Sequence, residues 1–178
     1  SITRSFIGNT AGSALTVGFW CYYNTVSLST MASAGSNNKA LSVTGAQYNT
    51  FNQDSMLSPA GYGAWLDLSH YNTISLSTIT GNSGIGALVV AGSSSNTVVD
   101  SYVQGAHGMY ISGSTNTEVH ASALLGTGAS GVGLKLTGAS VGLTVSSTVI
   151  RGGPPGIGVL LDAGNLGKLS LASATVTA

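Results

Sequence analysis

Few side chains here could do chemistry, and they lie far apart. Five acidic and five basic residues are scattered over 178 positions, so any acid–base site must be assembled by the fold. Asp67, Tyr110 and Lys135 are the set with a chemical logic. A lysine could neutralise a uronate carboxylate while an acidic or phenolic neighbour takes up a proton. Glycoside hydrolysis needs two carboxyls about 5 to 9.5 Å apart, and the candidate pairs are Asp67 with Asp162 and Asp54 with Asp100. His70, His107 and His120 have no second histidine at ligand spacing, so no metal is expected. Cys21 is the single cysteine, which rules out an internal disulfide and a multi-cysteine zinc site. No HExxH, Walker A or nucleophile-elbow pattern occurs, and neither a catalytic set nor a cofactor is assigned.

What scaffold could bring such residues together is constrained first by composition. Charged residues are 6% of the chain, against a usual share of about 25%, and they cancel to a formal net charge of +0. A nucleic-acid binder needs a basic surface, and that class is excluded. With 43% hydrophobic residues the chain is too apolar for disorder. Its apolar runs fall far short of the roughly 18 residues of a spanning helix, so no membrane insertion is expected. One domain covering residues 1–178 is the reading.

Repetition supplies the architecture. Asn-Thr pairs recur at Asn24, Asn49, Asn72, Asn96 and Asn116, with degenerate counterparts at Val141-Gly142 and Leu166-Gly167. Before each lies a tripeptide with apolar first and third places: Leu15 to Val17, Leu41 to Val43, Leu66 to Leu68, Leu88 to Val90, Met109 to Ile111, Leu134 to Leu136 and Val159 to Leu161. That period of two marks strands with one buried face. A unit of about 24 residues with two or three short strands cannot bury its apolar face alone, whereas stacked units make a continuous core. The expected fold is an all-β solenoid of about seven coils.

The stretches "GIGALVVAGSSSNTVVDSYV", "AHGMYISGSTNTEV" and "YNTISLSTITGNSGIGALVVAG" resemble the repeats of right-handed parallel β-helix proteins of the pectate-lyase-like type. The resemblance implies a right-handed, single-stranded parallel β-helix with a ladder of stacked asparagines at Asn24, Asn49, Asn72, Asn96 and Asn116. It fixes no function, because the same repeat serves lyases, hydrolases, tailspikes and adhesins alike. Tyr23, Tyr48 and Tyr71 precede three successive ladder positions and should stack. Polysaccharide-processing members carry their chemistry on the outside of one strand stack, where the middle residues here read Thr16, Ser42, Asp67, Val89, Tyr110, Lys135 and Leu160. Tyr110 and Lys135 should then be about 5 Å apart, with Asp67 about 10 Å from Tyr110. His107, in a Gly-Ala-His-Gly run like that of polygalacturonase-like hydrolases, falls at an ordinary repeat position.

The resulting expectation is a structural or adhesive module, secreted or at the cell surface, that does not cleave its ligand. Its expected partners are further repeats, or copies stacked head to tail, and a polysaccharide. The residues expected on the binding face are Asp67, Tyr110 and Lys135. The competing class is a polysaccharide-active enzyme or carbohydrate-binding module. Ice binding is set aside because the hydroxyl row Thr30, Ser55, Thr78 breaks at Tyr102. Neither end carries a charged or helical cap, so the β structure is expected to continue beyond both.

Overall fold

The computed structural model of the chain describes residues 1–82, 87–165 and 168–178. The degenerate landmark Leu166-Gly167 and the repeat residues Ile85 and Gly86 lie outside them. Among the described residues the chain winds into a parallel β-solenoid of three sheets, of eight, eight and seven strands, with a single short 3₁₀ turn at Ala163–Asn165. One coil shows the plan: Thr73–Ser75 lies in the first sheet, Thr78–Gly81 in the second and Leu88–Ala91 in the third. Each strand pairs in parallel with its equivalents in the coils on either side.

Inward columns make the core. Val26, Phe51, Ile74, Val98, Val119 and Val145 stack from the first sheet, and Met31, Met56, Ile79, Val103, Leu124 and Ile150 from the second. The third sheet contributes Leu41, Ala64, Leu88, Met109 and Leu134 beside Val43, Leu66, Val90, Ile111 and Leu136. Where the second sheet turns toward the third, backbones pass so closely that side chains are excluded. A Cβ on Gly105 would sit 2.1 Å from the carbonyl oxygen of Gly81.

One expected core residue is displaced, while Leu161 keeps its inward column beside Leu136 and packs against the core. Leu68 is 53% exposed, because Leu41-Ser42-Val43 pairs with Ala64-Trp65-Leu66 and not with Leu66-Asp67-Leu68. The run Ala64 to Leu68 satisfies the alternation in either register. Leu68 instead adopts φ +49° at the corner, where Gly45, Gly92, Gly113 and Gly138 also have positive φ. Leu161 is half-buried in the last coil of the third sheet.

The corners are held by side chains that replace strand hydrogen bonds. The Asn24 backbone N–H donates to Asn49 Oδ1 at 2.9 Å, that of Asn49 to Asn72 Oδ1 at 2.9 Å, and that of Asn72 to Asn96 Oδ1 at 2.9 Å. Their amide groups add side-chain bonds of 3.0 to 3.2 Å up the same stack. Asn116 is not a rung of this ladder. Thr97 pairs with Glu118, so Thr117 takes the inward place while Asn116 turns out to solvent at φ +51°. The coil is three residues shorter here than the one before it, 21 against 24, and the Asn-Thr pair slips by one. Thr117 Oγ1 is buried without a hydrogen-bond partner among the described residues, so the ladder ends there.

The next corner carries a second ladder of Ser5, Ser29, Asp54, Ser77, Ser101, Ser122 and Thr148, in which each side chain from Ser29 onward accepts the backbone N–H of the ladder residue one coil before. The hydroxyls also donate to the carbonyl two residues back, as Ser77 does to Ser75 at 2.7 Å. Asp54 interrupts the series. Burial pushes its carboxyl above the usual range, opposed by the hydrogen bonds it shares with the Ser29 and Asn52 backbone, and its Oδ2 has no partner. A protonated carboxyl supplies the O–H that a serine would.

Two stability predictions follow from the ladders. Asn72→Leu should cost about 1 to 3 kcal/mol by orphaning the backbone N–H of Asn49, read as a lower midpoint in urea unfolding. Asp54→Ser should stabilise the protein at neutral pH. A folded-state pKa raised above the unfolded one gives stability that is present in acid and lost as pH rises through the folded value. The advantage of the serine variant should therefore shrink as pH falls. A gap in melting temperature that is constant from pH 3 to pH 8 would rule this out.

Candidate functional site

The outer face of the third sheet gathers most of the chain's polar chemistry, in an order the sequence only partly discloses. Its central outward row is Thr16, Ser42, Trp65, Val89, Tyr110, Lys135 and Leu160, set by the pairings Ser42 to Trp65, Val89 to Tyr110 and Tyr110 to Lys135. Tyr110 and Lys135 are one rung apart, with the Lys135 ammonium 5.7 Å from the centre of the Tyr110 ring. Thr137, two residues along the same strand as Lys135, donates from Oγ1 to the Tyr110 hydroxyl at 2.8 Å. Asp67 does not belong to this row. It pairs with Thr44 and Ala91 in the neighbouring one, two residues along the strand from Trp65.

Trp65 takes the place expected for Asp67, and with it comes a cluster that sequence reading missed. Lys39 pairs with Tyr62, and the Tyr62 and Trp65 rings meet edge to face at 4.7 Å. The Lys39 ammonium lies over both, 5.8 Å from the Tyr62 centroid and 5.3 Å from that of Trp65. Two cation–aromatic groups therefore lie on the outer side of one sheet, Lys39 with Tyr62 and Trp65, and Lys135 with Tyr110; Tyr62 is itself buried beneath the first group, and Val89, between Trp65 and Tyr110, is fully covered. Trp65 and Tyr110 are two rungs apart, about 10 Å at the spacing of paired strands. The available signal was Lys39 and Tyr62, each two places before the first apolar residue of its strand.

His107 stands two places before Met109, as Tyr62 stands two places before Ala64. Its Nδ1 accepts the backbone N–H of Val132 at 3.0 Å. Burial and then the charge of Lys135 hold its imidazole below the ordinary histidine range, so it is neutral at neutral pH. The carboxyls do not converge. Asp67 and Asp162 are four rungs apart in one row, on the order of 19 Å. Asp54 is buried in the serine ladder, while Asp100 occupies the exposed corner place beside that ladder at φ +49°. Among the described residues no three His, Cys, Asp or Glu side chains form a metal-binding group.

A separate aromatic feature lines the corner between the third and first sheets. Tyr23 and Tyr48 stack with centroids 5.2 Å apart, and Tyr48 and Tyr71 with centroids 4.9 Å apart. All three have positive φ, which throws the rings outward. The rings are 42% to 77% exposed, so the stack lies open to solvent along this corner.

Residues 4–150 match the family model for the right-handed β-helix region. No curated protein matches the sequence. Among solved structures the chain is similar to PfbA, a surface adhesin of Streptococcus pneumoniae, with 9% identity and a TM-score of 0.52 over 97% of this chain and 57% of that one. It is also similar to QnrB1, a plasmid-mediated fluoroquinolone resistance protein, with 11% identity and a TM-score of 0.31 over 91% and 89% of the two chains. At such identities the first likeness speaks for the fold alone. The chain spans a little over half the length of the adhesin chain.

Proposed function

The chain belongs to the right-handed β-helix family, a scaffold that carries unlike functions, and on that premise we propose an extracellular adhesive module that holds a polysaccharide along its third sheet without cleaving it. The observation that carries this reading is the pair of cation–aromatic groups on one outer face. Aromatic rings give apolar contact to the C–H faces of sugars, and ammonium groups attract carboxylate or sulfate substituents. Lys39 and Lys135 are four rungs apart, about 19 Å at the strand spacing, a span that suits several sugars of an extended acidic chain lying parallel to the axis. Strand pairing fixes the backbone beneath these side chains, so the face is ordered before a ligand arrives. The likeness to the fold of a surface adhesin is consistent with this setting.

The non-cleaving half of the proposal rests on what the face lacks. Lyase chemistry needs a positioned base beside the cation that neutralises the uronate. Beside Lys135 stands a tyrosine hydroxyl already engaged by Thr137, the Nδ1 lone pair of nearby His107 is taken by the Val132 N–H, and the carboxylate of Asp67 belongs to another row. No two carboxyls on the face are within hydrolase range.

Affinity electrophoresis in gels containing alginate or polygalacturonate checks binding. The protein should be retarded, and Lys135→Ala or Trp65→Ala should weaken the apparent affinity about tenfold, the loss of one interface side chain worth some 1.4 kcal/mol. Unretarded migration in both gels, or variants that bind as the parent does, would sink the adhesive reading. Incubation with the same polymers should release neither new reducing ends nor unsaturated products. Turnover abolished by Lys135→Ala or Tyr110→Phe would replace it with a lyase.

A further inference from the structure

On the first sheet, away from the proposed glycan face, the fold brings together a serine, a histidine and a carboxylate. His120 and Ser146 are paired neighbours in adjacent coils, and Glu118 lies two residues before His120 on the same strand, hence on the same outer face. Ser146 Oγ is 2.5 Å from His120 Nδ1, and His120 Nε2 is 3.2 Å from Glu118 Oε2. We infer that Ser146 is an activated nucleophile, primed by His120 and Glu118 to accept an acyl group from an activated ester.

The hydrogen-bond pattern assigns the roles. An ionised carboxylate only accepts, so in the neutral ring Nε2 carries the proton toward Glu118 and Nδ1 keeps its lone pair for the Ser146 hydroxyl. The relay is that of serine hydrolases with the ring turned the other way, Nδ1 toward the nucleophile. The other two histidines differ. His70 Nδ1 also contacts a serine hydroxyl, Ser94 Oγ at 2.7 Å, but accepts the Ser94 backbone N–H at 3.0 Å as well and has no carboxylate on its far nitrogen among the described residues. His107 Nδ1 is taken by the Val132 N–H. Access is open on the far side of Ser146, where its neighbour in the next coil is Ala172, with Thr144 two places back on its own strand.

In the first step a bond forms between Ser146 Oγ and the acyl carbon, and the hydroxyl proton passes to His120 Nδ1. The acyl–oxygen bond breaks, and the leaving aryl oxide takes that proton back. Water then adds to the acyl carbon, gives its proton to Nδ1, and Ser146 leaves with it, so that ester and water yield acid and phenol. Glu118 is a positioning residue that acts through the imidazole. The N–H groups of this strand are spent on the sheet ladder and cannot form an oxyanion hole. The substrate class is therefore narrow: aryl esters, and phosphonofluoridates in which fluoride leaves.

The test treats the intact chain with a biotinylated fluorophosphonate and maps the modified peptides by mass. Label should sit on Ser146, vanish in Ser146→Ala, and form about 100-fold more slowly in His120→Ala, the low end of what a general base supplies. Glu118→Gln, which keeps an acceptor, should lose less than Glu118→Leu. Hydrolysis of p-nitrophenyl acetate should follow the same order. Ser94 is the control within the same molecule and needs no variant: it touches a histidine but lacks the carboxylate. Equal labelling of Ser94 and Ser146, label spread over many serines, no label, or a rate unchanged in His120→Ala would each overturn the inference. Loss of labelling with unaltered retardation by alginate would separate this site from the glycan face.

Discussion

Every feature of this molecule depends on one requirement: at each corner the chain must bend without leaving its backbone N–H groups unpaired. Strand pairing satisfies the straight segments, but a bend interrupts it, and a buried orphan N–H costs on the order of 1 to 3 kcal/mol. The solution is a side chain from the next coil, asparagine at one place and serine at the others, that accepts the stranded N–H. Because those acceptors must lie directly above the donors, the coils are held in register. Register in turn decides which side chains face out together. The Lys39, Tyr62 and Trp65 cluster and the Glu118, His120 and Ser146 relay are both by-products of that alignment.

Much of the architecture was legible because the repeat writes the same demands again and again. Leu41 to Val43 and Leu134 to Leu136 read unambiguously, since a polar residue separates two apolar ones. Ala64 to Leu68 did not, because apolar residues at four of five places permit two registers, and the fold chooses the one that puts Leu68 at a corner. That single slip moved Asp67 out of the candidate row and hid Trp65. The change of one place at Asn116 has a similar origin. A repeated dipeptide signals a turn, but which of its neighbours points inward depends on coil length, and the coil from Asn96 to Thr117 is shorter than the one before it. The His120–Ser146 contact was invisible for a further reason, being a relation between coils 26 residues apart.

With so few charges, the settings of several can be named one by one. Two of the lysines lie over aromatic rings, and Glu118 meets His120. Asp54 is the exception, a carboxyl in a column of hydroxyls, and burial forces it toward the neutral form that mimics them.

The direction of the corner bonds gives the rod a polarity that its near-uniform coils otherwise conceal. Each ladder N–H of one coil donates to a side chain of the following coil, and the sense does not reverse along the asparagine ladder, the ladder from Ser5 to Thr148, or a third one at the remaining corner, where Ser69 donates to Ser93, Ser93 to Ser114 and Ser114 to Ser140. Peeling a coil from the C-terminal side strands backbone donors that cannot move. Peeling one from the N-terminal side frees, at these corner positions, side-chain oxygens that can rotate to water, together with the backbone N–H groups that donate to the removed coil, as Thr50 does to Asn24. At the ladder corners the two directions of unwinding therefore expose different groups, fixed backbone donors in one and movable side-chain acceptors in the other, even where the coils have the same composition.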